Sequence, residues 1–201
     1  MKIVLASNNA KKLVELQALF APLGVELVTQ GSLGIPEAEE PFDSFVENAL
    51  TKARHAAQAS GLPALADDSG LAVEALEGAP GVLSARYATL FGRAKSDAEN
   101  NAVLLEKMAG IEQRGARFVS ALVAVRSAAD PEPLIAMGRW QGEILRVPQG
   151  EGGFGYDPLM FIPALGASVA QLSAAQKNAL SHRALASVDL VRQMREVWHL
   201  G

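Results

Sequence analysis

The sequence predicts an α/β fold, because its N-terminal part alternates strand and helix signals. Residues 2–6 form a short apolar run with β-branched side chains, which is typical of a buried strand. After a polar turn, leucine and phenylalanine recur at three- and four-residue spacing over residues 13–20, the spacing of one helix face. Residues 25–29 predict a second strand. Strand, helix and strand in this order are the start of an α/β fold.

Two more helices are predicted from their capping signals. Ser44 and Ser96 each precede a glutamate by three residues, which is the spacing of a capping box. We expect the two helices to begin there and to end at Gly61 and Gly110, respectively.

The second half of the chain predicts a hairpin and a long terminal helix. Residues 117–125 have the strongest strand pattern in the sequence, and residues 134–145 follow a "DPEP" turn as their hairpin partner. Residues from about 173 to 198 are predicted as one helix with "SHRA" near its middle. No repeat or linker divides the chain, so we expect a single domain over residues 1–201.

Composition and charge narrow the class of protein. The chain carries a net charge of −4, which argues against broad binding to nucleic acid, because such binding depends on neutralising phosphates. It has no cysteine, so disulfides and thiolate metal sites are excluded. The apolar runs are too short for a signal peptide or a membrane span, and we therefore expect a cytoplasmic protein.

The polar turn "SNNAKK" is the first stretch that could carry chemistry. A strand that ends at a helix start presents backbone N–H groups to anions, and phosphates bind at such places. Ser7, Asn8 and Asn9 could add side-chain donors, and Lys11 or Lys12 a positive charge. The alternative is a helix cap followed by two solvated lysines, and the stretch by itself favours that alternative.

Two acidic pairs form the second candidate. Mg²⁺ takes one or two carboxylates and fills its shell with water and phosphate oxygens, so Glu39–Glu40 and Asp67–Asp68 could together hold it. A spare carboxylate could act as general base. Neighbouring side chains on a strand point to opposite faces, so we expect one aspartate to face a cleft and the other to fix a turn by bonding the backbone. Glu39 and Glu40 taken singly are typical of surface charges.

The glycine-rich "EGGFGYDP" and the "SHRA" segment complete the candidates. Phe154 stands among glycines, so its ring could stack on a planar base, although such loops also occur as simple hairpin turns. His182 and Arg183 would project about 100° apart on a helix. With Lys177 nearby they could line one wall of a site, whereas a lone histidine is more often structural.

Together these stretches resemble one family, the inosine triphosphate pyrophosphatases, also called dITP/XTP pyrophosphatases. The matching segments are "SNNAKK", "FVENALTKARHAA", "ADDSGLAVEALEGAPGVLSARYA", "GGFGYDP" and "SHRALA", in the order and spacing of the family. The resemblance implies a two-lobed fold around a long mixed β-sheet flanked by helices, with the active cleft between the lobes. It also implies Mg²⁺-dependent hydrolysis of ITP, dITP or XTP to the monophosphate and pyrophosphate, and a homodimer.

The resemblance assigns roles residue by residue. Asp68 is similar to the general base and a metal ligand, and Glu40 to the other metal-binding acid, with the choice between Glu39 and Glu40 left open. Asp67 is expected to shape the turn or the charge around it, and Ser69 and Gly70 to let the substrate come close. The residues implied as substrate contacts are Ser7, Asn8, Asn9, Ala10, Lys11, Lys12, Lys52, Ser69, Phe154, Gly155, Tyr156, Asp157, Lys177, His182 and Arg183.

Two other functions stay open at this point. One is a pyrophosphatase for other modified nucleotides, such as the Maf-type enzymes. The other is a nucleotide-binding regulatory module without turnover, which the Asp68 site argues against because a binder needs no base.

Overall fold

The computed structural model describes residues 1–201 and contains five α-helices and seven strands. The helices are α1 (Ala10–Phe20), α2 (Phe45–Ser60), α3 (Asp97–Lys107), α4 (Ala174–Leu180) and α5 (His182–Trp198). The strands are β1 (Lys2–Leu5), β2 (Glu26–Thr29), β3 (Ala64–Val73), β4 (Gly115–Val125), β5 (Leu134–Ile144), β6 (Met160–Ile162) and β7 (Ala167–Ser168). None of the helices combines the length and the apolar character needed to cross a membrane.

The strands form one mixed sheet in the order β2-β1-β3-β4-β5-β6-β7. Strand β1 pairs in parallel with β2 and with β3, whereas β6 pairs antiparallel with β5 and with β7. The predicted hairpin strands, β4 and β5, are hydrogen-bonded neighbours. The predicted α/β class is therefore confirmed.

The chain divides into two compact units. Unit 1 comprises residues 1–68, 120–138 and 181–201, and unit 2 comprises residues 69–119 and 139–180. In unit 1 the side chains of β1 alternate between two cores, with Ile3 and Leu5 in the core that α1 and α5 cover, and Val4 in the core that α2 covers. Burial on both faces explains why β1 reads as a continuous apolar run.

The predicted caps of α2 and α3 are confirmed, with one difference in detail. The Ser44 hydroxyl accepts the Glu47 N–H at 3.3 Å, as in a capping box. The Glu47 carboxylate accepts the Ser44 hydroxyl at 2.6 Å, whereas in a capping box it would accept the Ser44 backbone N–H. Helix α2 ends at Ser60 and is capped by Gly61 in a left-handed conformation, as expected. Helix α3 ends at Lys107, before the predicted Gly110.

Two expectations about local structure are wrong. The C-terminal segment is two helices, because Ser181 leaves the helical conformation and its hydroxyl caps α5 by accepting the Ala184 N–H at 3.1 Å. "SHRA" therefore lies at the start of a helix. The chain also makes no turn at Asp67–Asp68, since β3 continues through both aspartates to Val73.

Candidate active site

The aspartate pair of β3 lies in unit 1, and both residues are buried. Asp67 is 1% exposed and Asp68 is 6% exposed. Buried carboxylates are stable only when paired or hydrogen-bonded, so the partners of each aspartate define what it can do. The two residues have separate sets of partners, as expected for neighbours on a strand.

Asp67 is the centre of a buried ion cluster. Its Oδ1 accepts the hydroxyl of Ser120 at 2.7 Å, and its Oδ2 lies 2.9 Å from Lys12 Nζ. The guanidinium of Arg183 donates to the same Oδ2 from Nε at 3.1 Å and from Nη2 at 3.0 Å. Arg183 also pairs with Glu15. The cluster thus joins α1, β3, β4 and the first turn of α5.

These charges decide the protonation of Asp67. Burial by itself raises the pKa of Asp67, but the charges of Arg183 and Lys12 and the hydrogen bond from Ser120 outweigh it and hold the pKa well below its usual range. Burial also lowers the pKa of Lys12, although Asp67 opposes that effect. Asp67 is therefore an ionised anchor for two cations. Of the two roles expected for it, it shapes the charge of the site and not a turn.

Asp68 belongs to a second, more open group. Its Oδ1 accepts Lys52 Nζ at 2.7 Å, and Glu40 Oε1 accepts the same ammonium at 2.7 Å. Lys52 Nζ also donates to the backbone carbonyl of Asp67 at 3.1 Å. Burial raises the pKa of Asp68, and the opposing charge of Lys52 does not restore it.

The structure brings Glu40, and not Glu39, into this group. Glu39 is exposed, whereas Glu40 is half-buried and shares Lys52 with Asp68. Local sequence signals do not separate the two glutamates, because they are adjacent in a loop.

Glu40 and Asp68 fit a divalent cation. The second oxygen of Asp68, Oδ2, is buried and has no hydrogen-bond partner. Such an atom needs an explanation, and a cation supplies one. No cluster of three or more acidic or histidine ligands exists in the chain. A cation held by two carboxylates would keep a shell of water and phosphate oxygens, which is the habit of Mg²⁺.

The "SNNAKK" turn is a helix cap, as its local pattern favours. The Asn9 side chain accepts the N–H groups of Lys11 at 3.0 Å and Lys12 at 3.1 Å, and the Ser7 hydroxyl accepts the Asn9 N–H at 3.1 Å. Asn8 accepts the N–H of Gly31 at 2.9 Å and donates to the Glu37 carboxylate at 3.2 Å. The turn therefore uses several of its own donors internally.

The two lysines of this turn differ in environment. Lys11 is exposed, as expected of a solvated lysine. Lys12 is not solvated, because its side chain is only 17% exposed and is paired with Asp67. Ala10 begins α1 and lies beside them.

In unit 2, the glycine-rich loop is held by Asp157. Its Oδ2 accepts the Phe154 N–H at 2.9 Å and Lys177 Nζ at 2.8 Å. The same ammonium lies 4.3 Å from the centroid of the Phe154 ring, a cation–π contact. Gly153 has φ of 74°, and a Cβ there would overlap the Asp157 carboxylate, so glycine is required.

Other residues named from the sequence have different surroundings. Tyr156 is buried, and its hydroxyl donates to the Ser84 carbonyl at 2.9 Å, so its side chain supports the loop. A Cβ at Gly70 would overlap the backbone oxygen of Gly81, so packing alone is enough to require a glycine there. Ser69 is half-buried, and His182 is buried in the first turn of α5.

Glu15 and Ser120 are site residues that sequence reasoning missed. Glu15 lies three residues after Lys12 on the same helix, a spacing that places the two side chains on one face. Ser120 is the one polar side chain in the apolar run of residues 118–125. A buried hydroxyl in such a strand needs a partner, and this was the available signal.

Comparison with known proteins agrees with this description. The sequence profile of the Ham1 family matches residues 3–193. A dITP/XTP pyrophosphatase from Methylibium petroleiphilum is 65% identical over 206 residues, covering 98% of this chain and 99% of the relative. One from Ralstonia nicotianae is 61% identical over 194 residues, covering 96% of each chain.

Solved structures show the same fold. A HAM1 protein from Coxiella burnetii has a TM-score of 0.89 at 45% identity, covering 98% of this chain and 100% of that one. The Ham1 protein of Staphylococcus aureus has a TM-score of 0.86 at 37% identity, covering 98% and 99%.

The Ser120→Ala variant tests the environment of Asp67. Because the folded pKa of Asp67 lies below its unfolded value of about 4, its contribution to stability is present above that value and is lost as pH falls through the folded pKa. Removing the Ser120 hydroxyl raises the folded pKa and shrinks this contribution. We expect the stability difference between wild type and variant to be largest near neutral pH and to narrow in acid, measured by urea unfolding.

Ser187→Ala is the matched control for this measurement. Ser187 is buried in the same unit, and its hydroxyl has no hydrogen-bond partner. Its effect should not change with pH. A Ser120→Ala difference that stays constant from neutral to acid pH would contradict the assignment.

Proposed function

Because the chain belongs to the Ham1 family, we propose that it hydrolyses the non-canonical purine nucleoside triphosphates ITP, dITP and XTP to the monophosphate and pyrophosphate. Relatives with 60–65% identity over nearly the whole chain carry the name dITP/XTP pyrophosphatase. The family resemblance inferred from the sequence motifs is confirmed by these matches. The activity would remove deaminated purines from the nucleotide pool.

The observation that carries this proposal is the opposite tuning of the two aspartates. The pKa of Asp67 is held well below its usual range, whereas that of Asp68 is raised by burial. Neighbouring carboxylates whose pKa values are pushed apart indicate different roles. Asp68, the stronger base of the two, would take the proton of a water that attacks the α-phosphorus in line.

Glu40 and Asp68 would hold Mg²⁺. When bound, the ion would neutralise charge on the triphosphate and so favour attack by water. The buried, unpartnered Oδ2 of Asp68 supports this role. Lys52 offsets the repulsion between the two carboxylates and adds positive charge beside them.

The cations and donors of unit 1 would bind the phosphates. Lys12 is held in place by Asp67 and Lys52 by Asp68, so both ammonium groups have fixed positions. Charges that are already in position need no reorganisation during the reaction. Such positioned charges make the main contribution to the catalysis of phosphoryl transfer. The "SNNAKK" turn and Ser69 stay predicted phosphate and substrate contacts.

The loop of unit 2 would recognise the purine. The Phe154 ring suits stacking on a base. Asp157 fixes the backbone of Phe154, and Lys177 lies over its ring. Inosine and xanthine carry a carbonyl at the six position where adenine carries an amino group, so donors such as His182 or loop N–H groups would discriminate between them. Arg183 is 1% exposed, which supports a positioning role through Asp67. The homodimer and the cytoplasmic location stay predictions.

A substrate panel tests the proposed function. We expect rapid pyrophosphate release from ITP, dITP and XTP and slow release from ATP and GTP, with Mg²⁺ present. Preferential hydrolysis of methylated or pyrimidine triphosphates would instead favour a Maf-type activity. Tight binding of ITP without hydrolysis would favour a regulatory module.

The Asp68→Asn variant tests the base. The substitution keeps the size of the side chain but removes its basicity, so we expect kcat for ITP to fall by about 10²–10⁴-fold. The thermal midpoint should change little in comparison. Asp43→Asn, at an exposed aspartate, is the control and should keep full turnover. Near wild-type turnover in Asp68→Asn would rule out the role of Asp68.

The two adjacent glutamates allow a matched test of the metal site. Glu40→Gln removes a charge that shares Lys52 with Asp68, so we expect the Mg²⁺ concentration for half-maximal activity to rise. Glu39→Gln removes an exposed charge from the neighbouring position and should leave that concentration unchanged. Equal responses of the two variants in a Mg²⁺ titration would contradict the assignment of Glu40.

A further inference from the structure

Helix α3 of unit 2 contains two adjacent asparagines in its interior, Asn100 and Asn101. Asparagine is a poor helix former, because its side chain competes for backbone hydrogen bonds, so two in succession need a reason. The Asn100 carbonyl oxygen accepts the N–H of Ala88 at 2.8 Å, which ties the helix to the preceding segment. Asn101 is not needed for that contact.

Asn101 and Asp97 together hold the backbone of Gly155. The Asn101 amide donates to the Gly155 carbonyl at 2.8 Å and to the Asp97 carbonyl, one turn earlier, at 2.8 Å. The Asp97 carboxylate accepts the Gly155 N–H at 2.7 Å. Both polar groups of one glycine are therefore bonded by one helix. The Oδ1 of Asn101 is buried without a hydrogen-bond partner, so the side chain bonds only through the two donations of its amide group.

Phe154 stands between two glycines in left-handed conformations, Gly153 and Gly155. Glycines have the widest conformational freedom, and Phe154 would take several positions if its neighbours were unrestrained. Asp157 restrains one side by accepting the Phe154 N–H. Asp97 and Asn101 restrain the other side through Gly155. The backbone that carries the aromatic ring is thus held on both sides by separate sets of hydrogen bonds.

We propose that Asp97 and Asn101 are positioning residues for the purine, acting through Gly155 to fix the Phe154 ring. This inference rests on the proposed function, because it assigns the base to Phe154. Ordering the loop before the nucleotide arrives lowers the entropy cost of binding, so the pair should act on affinity and not on the chemical step.

Asn101→Ala and Asp97→Ala test the proposal. Each removes one bond to Gly155, and we expect KM for ITP to rise by about three- to tenfold in each, with kcat unchanged. Asn101→Ala places a better helix former in α3, so the variant should fold at least as well as wild type. A raised KM without a lowered thermal midpoint separates positioning from a general structural role.

Two further variants serve as controls. Asp97→Asn keeps an oxygen that can accept the Gly155 N–H, so its KM should lie close to the wild-type value and well below that of Asp97→Ala. Glu99→Ala removes another acid from the first turn of α3, one that pairs with Arg93, whereas the bonds to Gly155 come from Asp97 and Asn101. It controls for the helix dipole and should leave KM unchanged.

The outcomes are distinguishable. If the wild type is active and both alanine variants have an unchanged KM, this inference is overturned and the proposed function stands. A parallel loss of kcat and thermal stability would also overturn it, because that is the signature of a structural role. Wild type that hydrolyses neither ITP nor XTP would overturn the proposed function, and this inference with it.

Discussion

The buried carboxylate of Asp67 is the interaction on which the candidate site depends. It is a counter-charge that Lys12 and Arg183 share, and it also accepts the hydroxyl of Ser120. Removing one partner of a buried ion pair costs about 3–5 kcal/mol, because the other charge is left uncompensated. Through this one side chain the start of α1, the start of α5 and the middle of β4 are fixed relative to β3. Glu15 completes the cluster by pairing with the other side of Arg183.

Adjacent residues of one strand thereby acquire different chemistry. The side chain of Asp67 meets two cations and a hydroxyl, and its carboxylate stays ionised. Asp68 points to the other side, meets one ammonium that it shares with Glu40, and keeps an oxygen without a partner. Residue type is identical in the two cases, so environment alone separates a structural anchor from a candidate base.

The extent to which the sequence predicted the structure follows the range of the interactions involved. Strand β1, helix α1 and the cap at Ser44 depend on periodicity and on neighbours three or four residues away, and these were predicted closely. The continuation of β3 through its aspartates was not, because acidic residues disfavour strands and the partner that offsets this preference, Arg183, lies 116 residues away. The break between α4 and α5 at Ser181 was missed for a related reason. A serine in a helical pattern can also act as a cap, and here the turn after it is held by the distant contact of Arg183 with Asp67.

Lys52 explains how two carboxylates can lie close together. Glu40 and Asp68 would repel each other if nothing lay between them, and the repulsion would be strong because Asp68 is buried. The ammonium bonds both carboxylates at 2.7 Å and also bonds the backbone beside them. In the proposed reaction the same ammonium can be shared with phosphate oxygens when a cation takes over part of the carboxylate charge. The lysine therefore holds the two carboxylates together and leaves the second oxygen of Asp68 without a hydrogen-bond partner.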